Sequence, residues 1–165
     1  KKKYIVSSEI CNLALKEEIR KIGFKLIESK VGDRHVIDKV KNYKAIMGAE
    51  PSGHFYFTKT GFTMDGLSAA MCFFHLLNKY NDSLNESLKK ISFYRRITKD
   101  LASNSISEKN LMEIRSLLKQ QINLKNEKII IRLSMWDPKI RIYYDYQYKS
   151  NFTAYLKIIK GNIKS

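Results

Sequence analysis

Cysteine, proline and tryptophan are scarce here: the 165 residues hold two, two and one of them. Cys11 and Cys72 lie far apart inside apolar helical patterns, which rules out a disulfide framework and reads as buried thiols of a reducing compartment. Neither belongs to a Cys-x-x-Cys pair. His35, His54 and His75 also lack the spacing of a helical metal site, so no structural metal is expected. The sequence has no GxGxxG, no Walker loop, no HExxH and no Ser-His-Asp spacing. Long apolar runs are missing too: "LSAAMCFFHLL" is too short to span a bilayer. The basic opening "KKKYIVSSEICNLALKEE" has no apolar stretch before its charges return, unlike a signal peptide. These absences predict a soluble, cytoplasmic protein with no membrane partner.

Acidic residues are few against basic ones, 16 against 31, for a net charge of +15 and a pI near 9.8. Clustered cations would indicate a polyanion partner. Here the charge is mostly Lys, spread along the chain together with much Ile and Asn. That pattern reads as compositional background and argues against nucleic acid, while suiting a phosphorylated ligand. A chain of this length buries roughly two thirds of its unfolded surface and supports one domain or two small ones.

What is present alternates in its first half. Tyr4 to Ser7 reads as a strand, and a Ser-Ser-Glu start leads to a helix with Cys11, Leu15, Ile19 and Ile22 on one face, ended by Gly23. Phe24 to Glu28 reads as a strand, His35 to Asn42 as a short helix, and Tyr43 to Met47 as the next strand, followed by Phe55 to Phe57. This order predicts a parallel α/β sheet of about three strands. The helix opened by Asp65 and Gly66 is apolar on two sides and is expected to be buried on both. An Asn/Asp/Ser-rich linker follows, over 81–91. The rest reads as a small α+β unit over 92–165: a strand at Ser92 to Thr98, a helix started by "SISE" with Leu111, Ile114 and Leu118 inward, a strand at Lys128 to Leu133, an alternating strand from Ile140, and a closing helix carrying Phe152, Tyr155 and Ile159.

Five strings carry possible chemistry. "GAEPSGH", Gly48 to His54, sets Glu50, Pro51 and Ser52 between two glycines; it reads as a β-turn or as a stiff loop whose carboxylate and hydroxyl meet sugar hydroxyls. "RLSMWDPKIR", Arg132 to Arg141, reads as a hairpin turn or as an anion cradle of guanidinium, hydroxyl and loop N–H groups. In "VGDRHV", Asp33 and Arg34 cap a helix and pair with each other, or line a cleft. "FYRRITK" and "RIYYDYQYK" mix bases with aromatics in the manner of RNA-binding surfaces, yet their alternation favours packing. In isolation each string favours its ordinary reading.

Their order changes this. "VGDRHVIDKV", "GAEPSGH", "MDGLSAA" and "RLSMWDPKIR" together resemble the second half of the α-D-phosphohexomutase family, which includes phosphomannomutase/phosphoglucomutase and phosphoglucosamine mutase. The resemblance covers essentially the whole chain. It implies a fold of two parts, the latter part of the family's third domain (1–80), a truncated α/β/α unit bearing the sugar loop, and its fourth domain (92–165), a small α+β, TBP-like unit bearing the phosphate loop. The activity implied is interconversion of hexose 1- and 6-phosphates through a phosphoserine, within four domains around one cleft. By resemblance, Glu50, Ser52, Gly53 and His54 bind the sugar, Arg132, Ser134 and Arg141 bind phosphate, and Asp33 and Arg34 lie near the cleft. No string resembles the phosphoserine loop or an Asp-rich Mg²⁺ loop. The resemblance therefore implies Mg²⁺ in the complete enzyme but none held by this chain, no catalytic residue of its own, a hexose phosphate ligand, and an N-terminal mutase fragment as partner. Met135, Trp136 and Asp137 depart from the family's phosphate-loop pattern. Two alternatives stand beside this reading: a non-catalytic relic binding a sugar phosphate or a partner protein, and, weakest, a nucleic-acid module.

Overall fold

The computed structural model describes residues 3–59, 65–80, 83–102, 106–122, 126–134 and 137–163. The chain divides into two compact units, Lys1–Ser92 and Phe93–Ser165.

In the first unit, β1 (Tyr4–Ser8), β2 (Lys25–Ser29), β3 (Met47–Ala49) and β4 (Phe55–Phe57) form one sheet in the order β2-β1-β3-β4. β1 runs parallel to both neighbours, with Val6 beside Ile27 and Gly48. The crossovers are helices α1 (Leu13–Lys21) and α2 (Asp33–Tyr43). The first crossover runs from β1 out to β2 and the second from β2 back past β1 to β3, so right-handed connections put the two helices on opposite faces. Val36 and Val40 of α2 pack on Val6 and Ile27, while α1 buries Leu13 and Ile19. The α2–sheet contact is close because β3 offers a glycine. A Cβ at Gly48 would lie 2.6 Å from Val36 and 2.7 Å from Val40.

The second unit is an antiparallel sheet of β5 (Arg95–Ala102), β6 (Glu127–Leu133) and β7 (Lys139–Tyr146) in the order β5-β7-β6, with β7 central. Helices α5 (Glu108–Gln121) and α6 (Phe152–Asn162) cover one face. Alternation along β7 puts Ile140, Ile142 and Tyr144 into the core with Leu111, Ile114, Leu118, Ile131, Tyr155 and Ile159. Glu127 is buried in this layer, where it accepts hydrogen bonds from the Tyr144 hydroxyl, from Tyr155 Oη at 2.8 Å and from Asn151 Nδ2 at 2.9 Å. A buried carboxylate holding three donors ties β6, β7 and α6 together. On the opposite face Asp145 is buried against the Arg96 guanidinium, with contacts of 2.6 and 2.9 Å.

Several expectations are corrected. Ser8 joins the expected strand in β1, and α1 is capped not by the Ser-Ser-Glu stretch but by Asn12, whose side chain accepts from Ala14 N–H at 2.9 Å. Leu15 and Ile22 are exposed, because the buried stripe of α1 runs through Leu13 and Ile19. The sheet has four strands, and β4 is antiparallel: the connection from Ala49 to Phe55 is far too short for a parallel crossover. Tyr43 ends α2 and is not a strand residue. Within the stretch read as a linker, Leu84–Lys89 form α4, capped by Ser83. Helix α3 (Gly66–Tyr80) was expected to be buried on two sides; instead Leu67, Met71, Phe73, Phe74 and Leu76 are exposed, since no described element covers them. Cys72, on this helix, is exposed as well.

Candidate functional site

In an open sheet with a parallel core, ligands meet the carboxyl ends of the strands where the connections diverge. That point here is the end of β1. The connection leaving β2 is "KVGDR" and the one leaving β3 is "EPSGH", so two of the five strings meet at this edge of the first unit.

The "GAEPSGH" connection is a closed turn. Gly53 N–H donates to the Glu50 carbonyl at 3.1 Å, and Glu50 N–H donates to the His54 carbonyl at 2.9 Å. Pro51 fits the second position of such a turn, and Gly53 adopts φ +91°, which favours glycine. Glu50 is only 7% exposed, and its Oε1 accepts from Gly32 N–H at 3.0 Å. Glu50 thereby fastens this turn to the start of α2. Gly32 itself sits at φ +120° and begins the helix without a side-chain cap. His54 Nδ1 lies 2.9 Å from the Asp33 carboxylate. That contact, with the nearby Asp33 charge, raises the His54 pKa above its ordinary value and lowers that of Asp33. Ser52 is exposed and has no side-chain partner among the described residues; Arg34 is exposed on the first turn of α2. Asp33 thus pairs with His54, not with Arg34.

The "MDG" string also reaches this turn. Asp65 caps α3 by accepting from Leu67 N–H at 2.9 Å and from Ser68 N–H at 3.2 Å. Its own N–H donates to the Phe55 carbonyl at 2.9 Å, and a Cβ on Gly66 would lie 3.0 Å from the Gly53 carbonyl oxygen. Sequence reading gave Asp65 and Gly66 no role beyond opening a helix.

In the second unit, Arg132 on β6 and Arg141 on β7 are direct cross-strand neighbours, on the face opposite the helices. Like charges so placed repel. The Nε atoms of both are buried and have no hydrogen-bond partner among the described residues. Arg141 Nε lies 3.7 Å from Asp100, an ion-pair distance too long for a hydrogen bond. Asp137 lies 2.9 Å from Lys139 Nζ and 3.9 Å from an Arg141 guanidinium nitrogen; the hydrogen bond from Lys139 lowers its pKa. Ser134 N–H donates to the Lys139 carbonyl at 2.9 Å, closing the hairpin. Met135 and Trp136 lie outside the described residues. Two arginines are thus neighbours across the strands, each with a buried Nε donor that lacks a partner among the described residues.

Among the described residues, one group has metal-ligand spacing: Asp33, Glu50 and His54, with ligand atoms within 4.8 Å of one another. It does not fit Mg²⁺, which prefers an octahedron of oxygens. One of its three ligands is a ring nitrogen, and Glu50 Oε1 is already engaged by Gly32. No described helix is long and apolar enough to cross a membrane.

The chain is similar to known proteins. A phosphoglucosamine mutase of Dictyoglomus turgidum is 31% identical over 140 residues, covering 84% of this chain and 31% of the relative. The chain thus spans about a third of the length of that relative. A phosphoglucomutase/phosphomannomutase family protein of Burkholderia thailandensis superposes with a TM-score of 0.77 at 17% identity, covering 99% of this chain and 37% of that one. An N-acetylphosphoglucosamine mutase of Aspergillus fumigatus, solved with GlcNAc-6P and magnesium, gives 0.72 at 14% identity, covering 99% of this chain and 42% of its own. The family model for the phosphoglucomutase/phosphomannomutase α/β/α domain III matches residues 1–94, more than half of the sequence, and the chain belongs to this phosphohexomutase family.

Proposed function

We propose that this chain is the C-terminal portion of a phosphohexomutase interconverting hexose 1- and 6-phosphates, with hexosamine phosphates as the preferred substrates. The preference follows the phosphoglucosamine mutases among its relatives. In this reading Ser52, Gly53 and His54 present the sugar-hydroxyl contacts, and Glu50 holds their turn in place. Arg132, Ser134 and Arg141 grip a phosphate. A grip remote from the reacting group orients the substrate and lets its binding energy act on the chemical step. The phosphoserine, the Mg²⁺ and the chemical step belong to residues this chain does not contain, on a companion N-terminal mutase fragment or a longer chain.

One observation supports this most: the cross-strand Arg132–Arg141 pair with both buried Nε donors unpaired. Calorimetric titration with glucosamine 6-phosphate should give heat that disappears in Arg132→Ala. Turnover of glucosamine 1-phosphate should require an added N-terminal mutase fragment. Turnover by the lone chain, or equal heat from the Arg132 variant, would overturn the assignment. A second reading, a non-catalytic relic, draws on Asp137: its contacts with Lys139 and Arg141 supply the cations with an internal anion. In that case no heat depends on Arg132.

A further inference from the structure

The Asp33–His54 contact has no ordinary structural purpose. It is exposed on both sides, with side-chain exposures of 45% for Asp33 and 49% for His54, and the turn and helix it joins are already fastened by the Glu50–Gly32 bond. An exposed ion pair adds little stability. What it changes is the chemistry of the ring. A neutral imidazole carries one proton, and the partner of one nitrogen decides what the other can do.

Resting on the sugar-binding reading of this turn, we infer that Asp33 is a positioning residue: by accepting from Nδ1–H it fixes the His54 ring and leaves Nε2 as the nitrogen that meets a ligand hydroxyl. The geometry supports each part. Asp33 is the first residue of α2, so its Cα is held by the helix, and α2 is held by Val36 and Val40 in the sheet. His54 closes the turn through its carbonyl, so its backbone is fixed as well. With both backbones fixed, the 2.9 Å contact favours the ring orientation that turns Nδ1 towards Asp33. The charges of Asp33 on α2 and Glu50 in the turn act on the ring, and both favour its protonated form. The neutral ring presents Nε2 as an acceptor and the protonated ring presents it as a donor, so one residue serves a hydroxyl in either role without turning.

The test uses the whole chain and its three histidines. Long-range ¹H–¹⁵N spectra of ring nitrogens, assigned with His54→Gln, report tautomer and titration midpoint. Calorimetry with glucosamine 6-phosphate reports affinity. The wild type should show His54 protonated at Nδ1 in its neutral form, with a midpoint above that of an ordinary histidine. Asp33→Asn should lower that midpoint and mix the tautomers, with unchanged far-UV circular dichroism. Its affinity should fall about tenfold, the scale of one lost charge-assisted hydrogen bond. Asp33→Glu should restore part of both. An Nε2–H tautomer in the wild type, or an Asp33→Asn variant with wild-type midpoint and affinity, would overturn the role of Asp33 alone. Absence of heat from the wild type with an intact Nδ1–H ring would overturn the sugar-binding reading, and this role with it.

Discussion

Replacing Gly48 with alanine tests the link between fold and site most directly. The added methyl would lie 2.6 Å from Val36 Cγ1, 2.7 Å from Val40 Cγ2 and 3.9 Å from Val6 Cβ. The first two distances fall below the 3.0 Å at which something must shift. Val36 and Val40 are 0% and 1% exposed, and helical valines hold one χ1 rotamer, so neither can swing aside. The strain therefore moves α2 off β3. Overpacking of this kind costs about 2 kcal/mol, roughly 10 °C in the melting temperature of a unit this size. The displacement carries Gly32 and Asp33 with α2, so the Glu50 and His54 contacts lengthen too. Urea unfolding followed by circular dichroism measures the cost. Adding Val36→Ala should recover part of it, because one of the two clashing methyls is then gone. A Gly48→Ala variant within about 0.5 kcal/mol of wild type would refute the packing described for this helix.

Three further outcomes follow from the second unit. Glu127→Ala strands three donors, on Tyr144, Tyr155 and Asn151, and should cost about 2–4 kcal/mol in urea unfolding, with Glu127→Gln costing less because one acceptor remains. Burial, with Glu127 adding to it, pushes the Tyr155 pKa up from 10.0 to about 12 and that of Tyr144 higher still. In absorbance titrations these two tyrosines should ionise above the ordinary tyrosine range. Because the unfolded chain releases those protons first, stability should fall as pH rises from 10.0 towards about 12; a flat profile there would contradict the burial of both rings. Arg132→Ala should leave stability unchanged or raise it by up to about 1 kcal/mol, since it removes a like-charge neighbour and a buried donor without a partner.

Much of the second unit was legible because period-two and period-3.6 patterns announce themselves: β7 buries Ile140, Ile142 and Tyr144, and α5 buries Leu111, Ile114 and Leu118, as their spacing predicts. The buried polar residues were not legible. Glu127 and Asp145 look like surface residues in sequence, and only their partners, distant along the chain, explain their burial. In the first unit the alternation of strand and helix predicted the order of elements, but not the reversal into β4, which depends on how tightly a five-residue connection closes. The apolar pattern of α3 was read correctly as pattern and incorrectly as burial, because periodicity says which residues need cover and not what supplies it. At the site, motif order singled out Glu50, Ser52 and His54. It did not separate their tasks, and the hydrogen bond to the Glu50 carboxylate comes from the Gly32 backbone N–H, a donor that no side-chain pattern encodes.

The turn between β3 and β4 is held at Glu50 by Gly32 N–H of the α2 start, and the residue that follows it, Phe55, by Asp65 N–H of the α3 start. Its entropy is consequently lost when the protein folds and not when a ligand arrives. Ordering a loop on binding costs about 0.5–1.5 kcal/mol for each flexible side chain immobilised, and a turn fastened beforehand avoids most of that cost. In the proposed sugar-binding role, affinity at this turn would therefore depend on residues that make no contact with the ligand. A substitution at Asp65 or Gly66 that loosens the second fastening should appear in calorimetry as a larger unfavourable entropy of binding, with the contacts themselves unaltered.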